Sequence, residues 1–157
     1  ANLARATLCK ANLKDAYLMY THMIEANLQG TNLAGSNMSF ANLQDAHMVD
    51  AAMDSANLDG ANLFQCNLKG SVLNNASLKG SKMKGARLES ASLRGARMCE
   101  ADLSSAELCG TVLDNADLVH VCWHQVKIDS ATSVKGARFE QLDIPTKRPP
   151  PPHAPTF

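Results

Sequence analysis

The stretch HVCWH, residues 120–124, holds the residue types best suited to chemistry. Imidazole and thiolate are zinc ligands, and alternate positions of a strand share a face, so His120, Cys122 and His124 could in principle meet at one metal. The repeat described below spoils that geometry, because it puts a corner between His120 and Cys122; no metal or cofactor is expected. The other cysteines are Cys9, Cys66, Cys99 and Cys109. An odd total at uneven spacing is not a disulfide framework, so free thiols are expected in a reducing, intracellular compartment, cytoplasmic or nuclear. Cys99 has Lys79 twenty residues before it, the one hint of a lowered thiol pKa. No Ser/His/Asp set and no carboxylate pair stands out, so no enzyme is expected. The run Lys79, Lys82, Lys84, Arg87, Arg94, Arg97 could serve nucleic acid. Against it, 15 Lys and Arg balance 15 Asp and Glu. A net charge of zero supplies no long-range field of one sign.

The element that positions these residues is a period of five. Cut from Ala1, the sequence runs in frame through residue 130 as 26 blocks. The third place of every block is Leu, Met, Trp or Ile, from Leu3 to Ile128. The first place is Ala, Ser, Thr or Cys until Val121 and Val126. Five matches neither the helix period of 3.6 nor the strand period of 2. A chain that turns a corner every five residues satisfies it: one large and one small side chain point inward and three point outward. Eight of the nine glycines occupy the fifth place. Glycine there supplies the positive φ of a type II turn, and Asp, Asn and Ser, which share the place, also suit turns.

Charge counts the sides of the coil. Over residues 1–130, opposite signs meet eight times at a spacing of twenty: Arg5/Glu25, Asp59/Lys79, Lys69/Glu89, Lys82/Asp102, Arg87/Glu107, Glu107/Lys127, Arg94/Asp114 and Arg97/Asp117. Like signs meet once, at Glu25/Asp45. Spacings of fifteen and twenty-five give three to five and four to three. Four blocks per coil therefore fit best, with about six and a half coils over roughly 31 Å of stack. One apolar column is Leu3, Met23, Leu43, Leu63, Met83, Leu103 and Trp123. Asn ladders such as Asn42–Asn62 and Asn37–Asn57 are expected to hydrogen-bond between coils. The basic run is then paired coil to coil, and nucleic acid is not the expected partner.

The tandem A[DN]LXX blocks, as in ANLAR, ANLKD, ANLQG, ANLDG and ADLSS, resemble the pentapeptide-repeat family over about residues 1–130. The resemblance implies an all-β fold, a right-handed quadrilateral parallel β-helix with four short strands per coil, here about 6–7 coils. The ending SVKGARFEQL, Ser133 to Leu142, resembles the terminus of eukaryotic adaptors that join an N-terminal BTB domain of the potassium-channel-tetramerisation type to a pentapeptide domain. That likeness implies an adaptor, in some members for a ubiquitin ligase, whose BTB domain would precede Ala1. The chain starts inside the pattern without a methionine, which fits a missing N-terminal neighbour.

The frame breaks after Ile128. A bulge or insert over Ala131–Gly136 is expected, with Ala137 to Gln141 resuming one place late and Phe139 pointing inward. Residues 131–142 would form the cap of a domain spanning 1–142, and Trp123 would widen its last coil. Residues 143–157, ending PTKRPPPPHAPTF, should be a disordered Pro-rich tail with polyproline II character. That tail could suit a proline-binding module, although Arg148-x-x-Pro151 is followed by Ala154 where a second proline belongs. No apolar run approaches a membrane span. The outward residues that depart most from the pattern are apolar: Tyr17, Met19, Tyr20, Ile24 and Phe40. They form a candidate protein-interaction patch. The expected function is a non-catalytic scaffold, the recognition half of an adaptor for protein partners. The alternatives are a DNA mimic acting on topoisomerases, as the resemblance implies for some bacterial members, and a pure spacer.

Overall fold

The computed structural model describes residues 1–139. The expected tail, with Arg148 and Pro151, and Glu140 to Leu142 of the expected cap lie outside the described residues. Each second-place residue forms a parallel bridge to the residue twenty further on, from Asn2↔His22 to Glu107↔Lys127. The coil therefore takes twenty residues and has four walls. The first wall holds residues 1–5, 21–25 and 41–45, the second 6–10 and 26–30, the third 11–15 and 31–35, and the fourth 16–20, 36–40 and 56–60. Each wall meets its neighbour through a single bridged residue, so the sides are shorter than the strands the resemblance implies.

The corners follow from backbone hydrogen bonding. The first-place N–H donates to the preceding third-place carbonyl, as Ala6 does to Leu3 at 3.0 Å. The fifth place sits at positive φ, in 17 non-glycine residues and 9 glycines. Together these fit a type II turn at every such corner, the one at Asp129–Thr132 excepted. Between coils, Leu3 N–H donates to His22 at 2.7 Å, Arg5 N–H to Ile24 at 2.9 Å, and His22 N–H back to Ala1 at 3.0 Å. In the interior coils four of the five amides of a block are thus engaged by backbone.

The fifth, at the fourth place, explains the asparagines. Asn2 Oδ1 accepts Ala4 N–H at 3.0 Å, Asn32 accepts Ala34 at 3.1 Å, and Asn57 accepts Asp59 at 3.0 Å. The Asn side chain thus mimics a turn within its own block. The expected inter-coil ladder is found at Asn62–Asn42, 3.0 Å. It is absent at Asn37–Asn57, where Asn37 Oδ1 instead takes both the N–H and the hydroxyl of Ser39. Where the second place is serine, the acceptor moves one coil back. Asp59 takes the Ser77 hydroxyl and the Lys79 N–H, and Asn74 takes those of Ser92 and Arg94.

The bore is filled. Met23, Leu43, Leu63, Met83 and Leu103 are fully buried, and Trp123 is nearly so. Leu3, at the open first coil, is only partly buried, because no coil lies beneath it. Most inward hydroxyls donate to a wall carbonyl, as Thr31 does to Leu8 at 2.7 Å, whereas the Ser36 and Ser81 hydroxyls are buried without a partner among the described residues.

The insertion falls earlier than the sequence reading has it. Asp129 to Thr132 close the odd turn, Thr132 N–H reaching the Asp129 carbonyl at 3.2 Å. The pattern resumes at Thr132-Ser133-Val134-Lys135-Gly136, with Ser133 bridged to Val112 and Arg138 to Asp117. Neither Ser130 nor Ala131 needs positive φ there. Asp129 Oδ1 organises the turn, accepting from Gly110 at 2.9 Å and from the amides of Ala131 and Thr132 at 3.1 Å. Phe139 packs on Trp123, with ring centroids 6.1 Å apart.

Candidate functional site

The fifth-place φ is costly for bulky residues, whose Cβ crowds the following carbonyl. On the fourth wall two aromatics accept it one above the other: Tyr20 and Phe40, both at φ 55. Their rings stack with centroids 5.3 Å apart at 9°. Phe40 then leans over Gly60, where a Cβ would come within 2.5 Å of the ring. The stack therefore rests on a site that only glycine leaves open. Tyr20 and Phe40 remain 62% and 55% exposed, Tyr17 is 87% exposed and Met19 44%. Ile24 lies around the corner on the first wall and is half-buried, so it adds less than the sequence reading assigns it. Four exposed apolar side chains, Tyr17, Met19, Tyr20 and Phe40, make this part of the wall an apolar platform.

The thiols and imidazoles do not assemble elsewhere. Among the described residues no three His, Cys, Asp or Glu side chains converge as metal ligands. Cys122 Sγ lies 3.1 Å from Ser104 Oγ. All five cysteines are free. Burial pushes the Cys66 thiol up to about 12. Cys99 is raised as well, by burial and then by Asp117, rather than lowered by Lys79.

Four of the eight expected cross-coil pairs are ion pairs: Arg5–Glu25 at 3.0 Å, Arg87–Glu107 at 3.8 Å, Arg94–Asp114 at 2.6 Å and Lys127–Glu107 at 2.7 Å. Lys82 and Asp102 are bridged through their backbones without an ion pair. Asp59 takes the Lys79 amide rather than its ammonium. Arg97 turns to Ser77 at 3.2 Å, while Arg138 takes Asp117 at 2.7 Å. That last pair has a spacing of 21, set by the inserted residue, and a search at fixed spacing passes over it. Lys127 holds the Glu107 carboxyl below its ordinary value, and the Ser133 hydroxyl does the same for Asp114. These pairs are exposed and set register more than stability.

No helix among the described residues is long and apolar enough to cross a membrane. A search of curated proteins gave no significant match. Among solved structures the chain is similar to a pentapeptide repeat protein from the thylakoid lumen of Arabidopsis thaliana, with 29% identity and a TM-score of 0.52. The match covers 58% of this chain and 65% of that one, so the chain spans less than two thirds of that relative. It also matches HetL, a pentapeptide repeat protein involved in heterocyst differentiation regulation in the cyanobacterium Nostoc, at 25% identity and a TM-score of 0.32, over 87% of this chain and 71% of that one. Eight copies of the pentapeptide-repeat family model match over residues 1–33, 21–60, 56–95 and 91–122. With one apolar residue in five facing a filled bore and a turn at each fifth place, the chain belongs to the pentapeptide-repeat family.

Proposed function

We propose that the chain is a non-catalytic protein-interaction rod whose docking face is the fourth wall at Tyr17, Met19, Tyr20 and Phe40. The observation that carries this is the Tyr20–Phe40 stack, exposed and held at a backbone angle that favours glycine. A packed bore supports a binding role over catalysis, since chemistry on small molecules generally uses a concave pocket. We take residues 1–142 as one interaction domain, a right-handed rod of about 6–7 coils at the 20-residue spacing, acting as the recognition half of an adaptor. Five free thiols favour an intracellular location for it.

The test is site-specific photo-crosslinking in cells, with benzoylphenylalanine placed at Tyr17 and, as a control, at Lys69 on the second wall. A discrete adduct is expected from position 17 alone, and it should vanish in Tyr20→Ser/Phe40→Ser with the thermal melt retained. The same adduct in that double variant would move the docking face elsewhere. Protection of DNA gyrase from an inhibitor by the purified chain would favour the DNA-mimic reading instead.

A further inference from the structure

Residues 21–60, the two coils that carry Phe40 and its support Gly60, contain five carboxylates, Glu25, Asp45, Asp50, Asp54 and Asp59, and no Lys or Arg. The coil 101–120 also places one acid on each wall: Asp102, Glu107, Asp114 and Asp117. There the stacked cations answer them, and three of the four are ion-paired. Around Phe40 the stacking neighbours supply almost none. Asp45 lies between Glu25 and Gln65, Asp50 between Gly30 and Gly70, and Asp54 between Ala34 and Asn74, at the twenty-residue spacing. Of the four Asp, Asp59 alone has a cation one coil away, Lys79, and it receives only that residue's amide. Among the described residues Glu25 is the one member of the five in an ion pair, with Arg5.

Asp54 and Asp59, with Asp15 from the first coil, flank the aromatic face, whereas Glu25, Asp45 and Asp50 lie at the other corners. Asp15 and Asp54 stand at the corner where the third wall turns into the fourth, and Asp59 precedes Gly60 under the Phe40 ring. Lys14 and Lys79 are the cations at the two limits of this face. Uncompensated carboxylates beside an apolar platform are complementary to a ligand that brings both cations and apolar anchors. Exposed aromatic faces add to this by attracting guanidinium and ammonium groups.

We propose that the fourth-wall patch docks a basic protein segment, one that alternates Arg or Lys with apolar anchor side chains. The anchor covers Tyr20 and Phe40, and the cations lie along Asp15, Asp54 and Asp59. This rests on the docking-face reading above and specifies the chemistry of its partner.

Three fluorescein-labelled twelve-residue peptides test it: one alternating Arg and Leu, one with Glu replacing Arg, and one with Ser replacing Leu. Anisotropy titrations at low and high salt are read beside amide shift perturbations in the labelled protein. The Arg/Leu peptide is expected to bind about tenfold or more tighter than either other peptide, and to weaken with salt. Its perturbations should centre on residues 37–40 and 57–60. Asp15→Asn/Asp54→Asn, which spares the Asp59 hydrogen bonds, should weaken it about threefold or more, and Tyr20→Ser/Phe40→Ser about tenfold. No binding, or equal binding of the Glu/Leu peptide, overturns the proposal. If equal binding is still lost in Tyr20→Ser/Phe40→Ser, the docking face stands and the basic partner falls. If binding ignores Tyr20→Ser/Phe40→Ser, both readings fall. Binding of single-stranded DNA at this face in preference to the Arg/Leu peptide would also overturn it.

Discussion

At the scale of the residue, the rod is governed by the amide that the backbone leaves over. Asn at the second place meets it locally, so Asn57→Ala should cost about 0.5–1.5 kcal/mol, the net value of one hydrogen bond. Asp59 meets the Lys79 amide and also holds the Ser77 hydroxyl. Asp59→Ala removes two bonds to a charged group and should cost more than Asn57→Ala, about 1.5–3 kcal/mol, as urea titration would measure. If the two variants prove equally stable, the relay through Ser77 contributes nothing. Phe40 presents the opposite case. Phe40→Gly gives up an aromatic contact worth about 0.5–1.5 kcal/mol and relieves a left-handed backbone of similar cost, so stability should change by less than about 1 kcal/mol. A large loss of stability would make the Tyr20–Phe40 stack a structural device rather than a docking one. Gly60→Ala serves as the complement, since its new Cβ must push the Phe40 ring aside while the fold persists.

At the scale of the element, the last coils behave differently from the rest. The inserted residue at 129–131 interrupts the carbonyl that Gly110 would otherwise use, and the Asp129 side chain stands in for it. That contact with Gly110 is the main reason the Asp129 carboxyl sits below its ordinary range. Asp117 is lowered too, burial opposing the shift but being outweighed by Cys99 and Arg138. With Glu107 and Asp114, four carboxyls of residues 101–130 are thus more acidic folded than unfolded. As pH falls below the ordinary carboxylate range, the unfolded chain takes up protons first, so stability rises with pH across this window. The stabilisation is complete above that range and is lost as pH falls through the folded values. The melting temperature should therefore decline from about pH 5 to about pH 2, with amide exchange rising first at Gly110, Thr132 and Ser133. Asp114→Asn/Asp129→Asn should flatten that decline; an unchanged slope would place the acid sensitivity elsewhere.

At the scale of the whole molecule, the architecture is written in the sequence redundantly. Leu or Met recurs at the third place from Leu3 to Leu118, and charges of opposite sign recur at twenty, so four walls follow without a template. What was not legible depends on choices among near-equal partners. Arg97 takes Ser77 instead of Asp117, and Asn37 serves Ser39 instead of Asn57, because several acceptors lie within reach of each long or polar side chain. The inserted residue was visible as a slip of the frame, but its place was not, since Thr132 and Ala137 both suit the first position. The same redundancy dictates how the rod should fail. Each coil contacts only its neighbours, so stability is a sum of local terms and interfaces, and opening begins at the ends. Leu63 is fully enclosed by coils on both sides, whereas Leu3 has a coil on one side only. Leu63→Ala should cost about 2–5 kcal/mol, because the surrounding walls are pinned by hydrogen bonds and cannot collapse into the cavity. Leu3→Ala should cost well under half as much and should speed amide exchange in residues 1–25 alone. Leu63→Ala, by contrast, should lower protection across the rod. Equal costs at the two positions, with equal spread of exchange, would mean that the rod unfolds as one undivided unit and that its ends are not where opening starts.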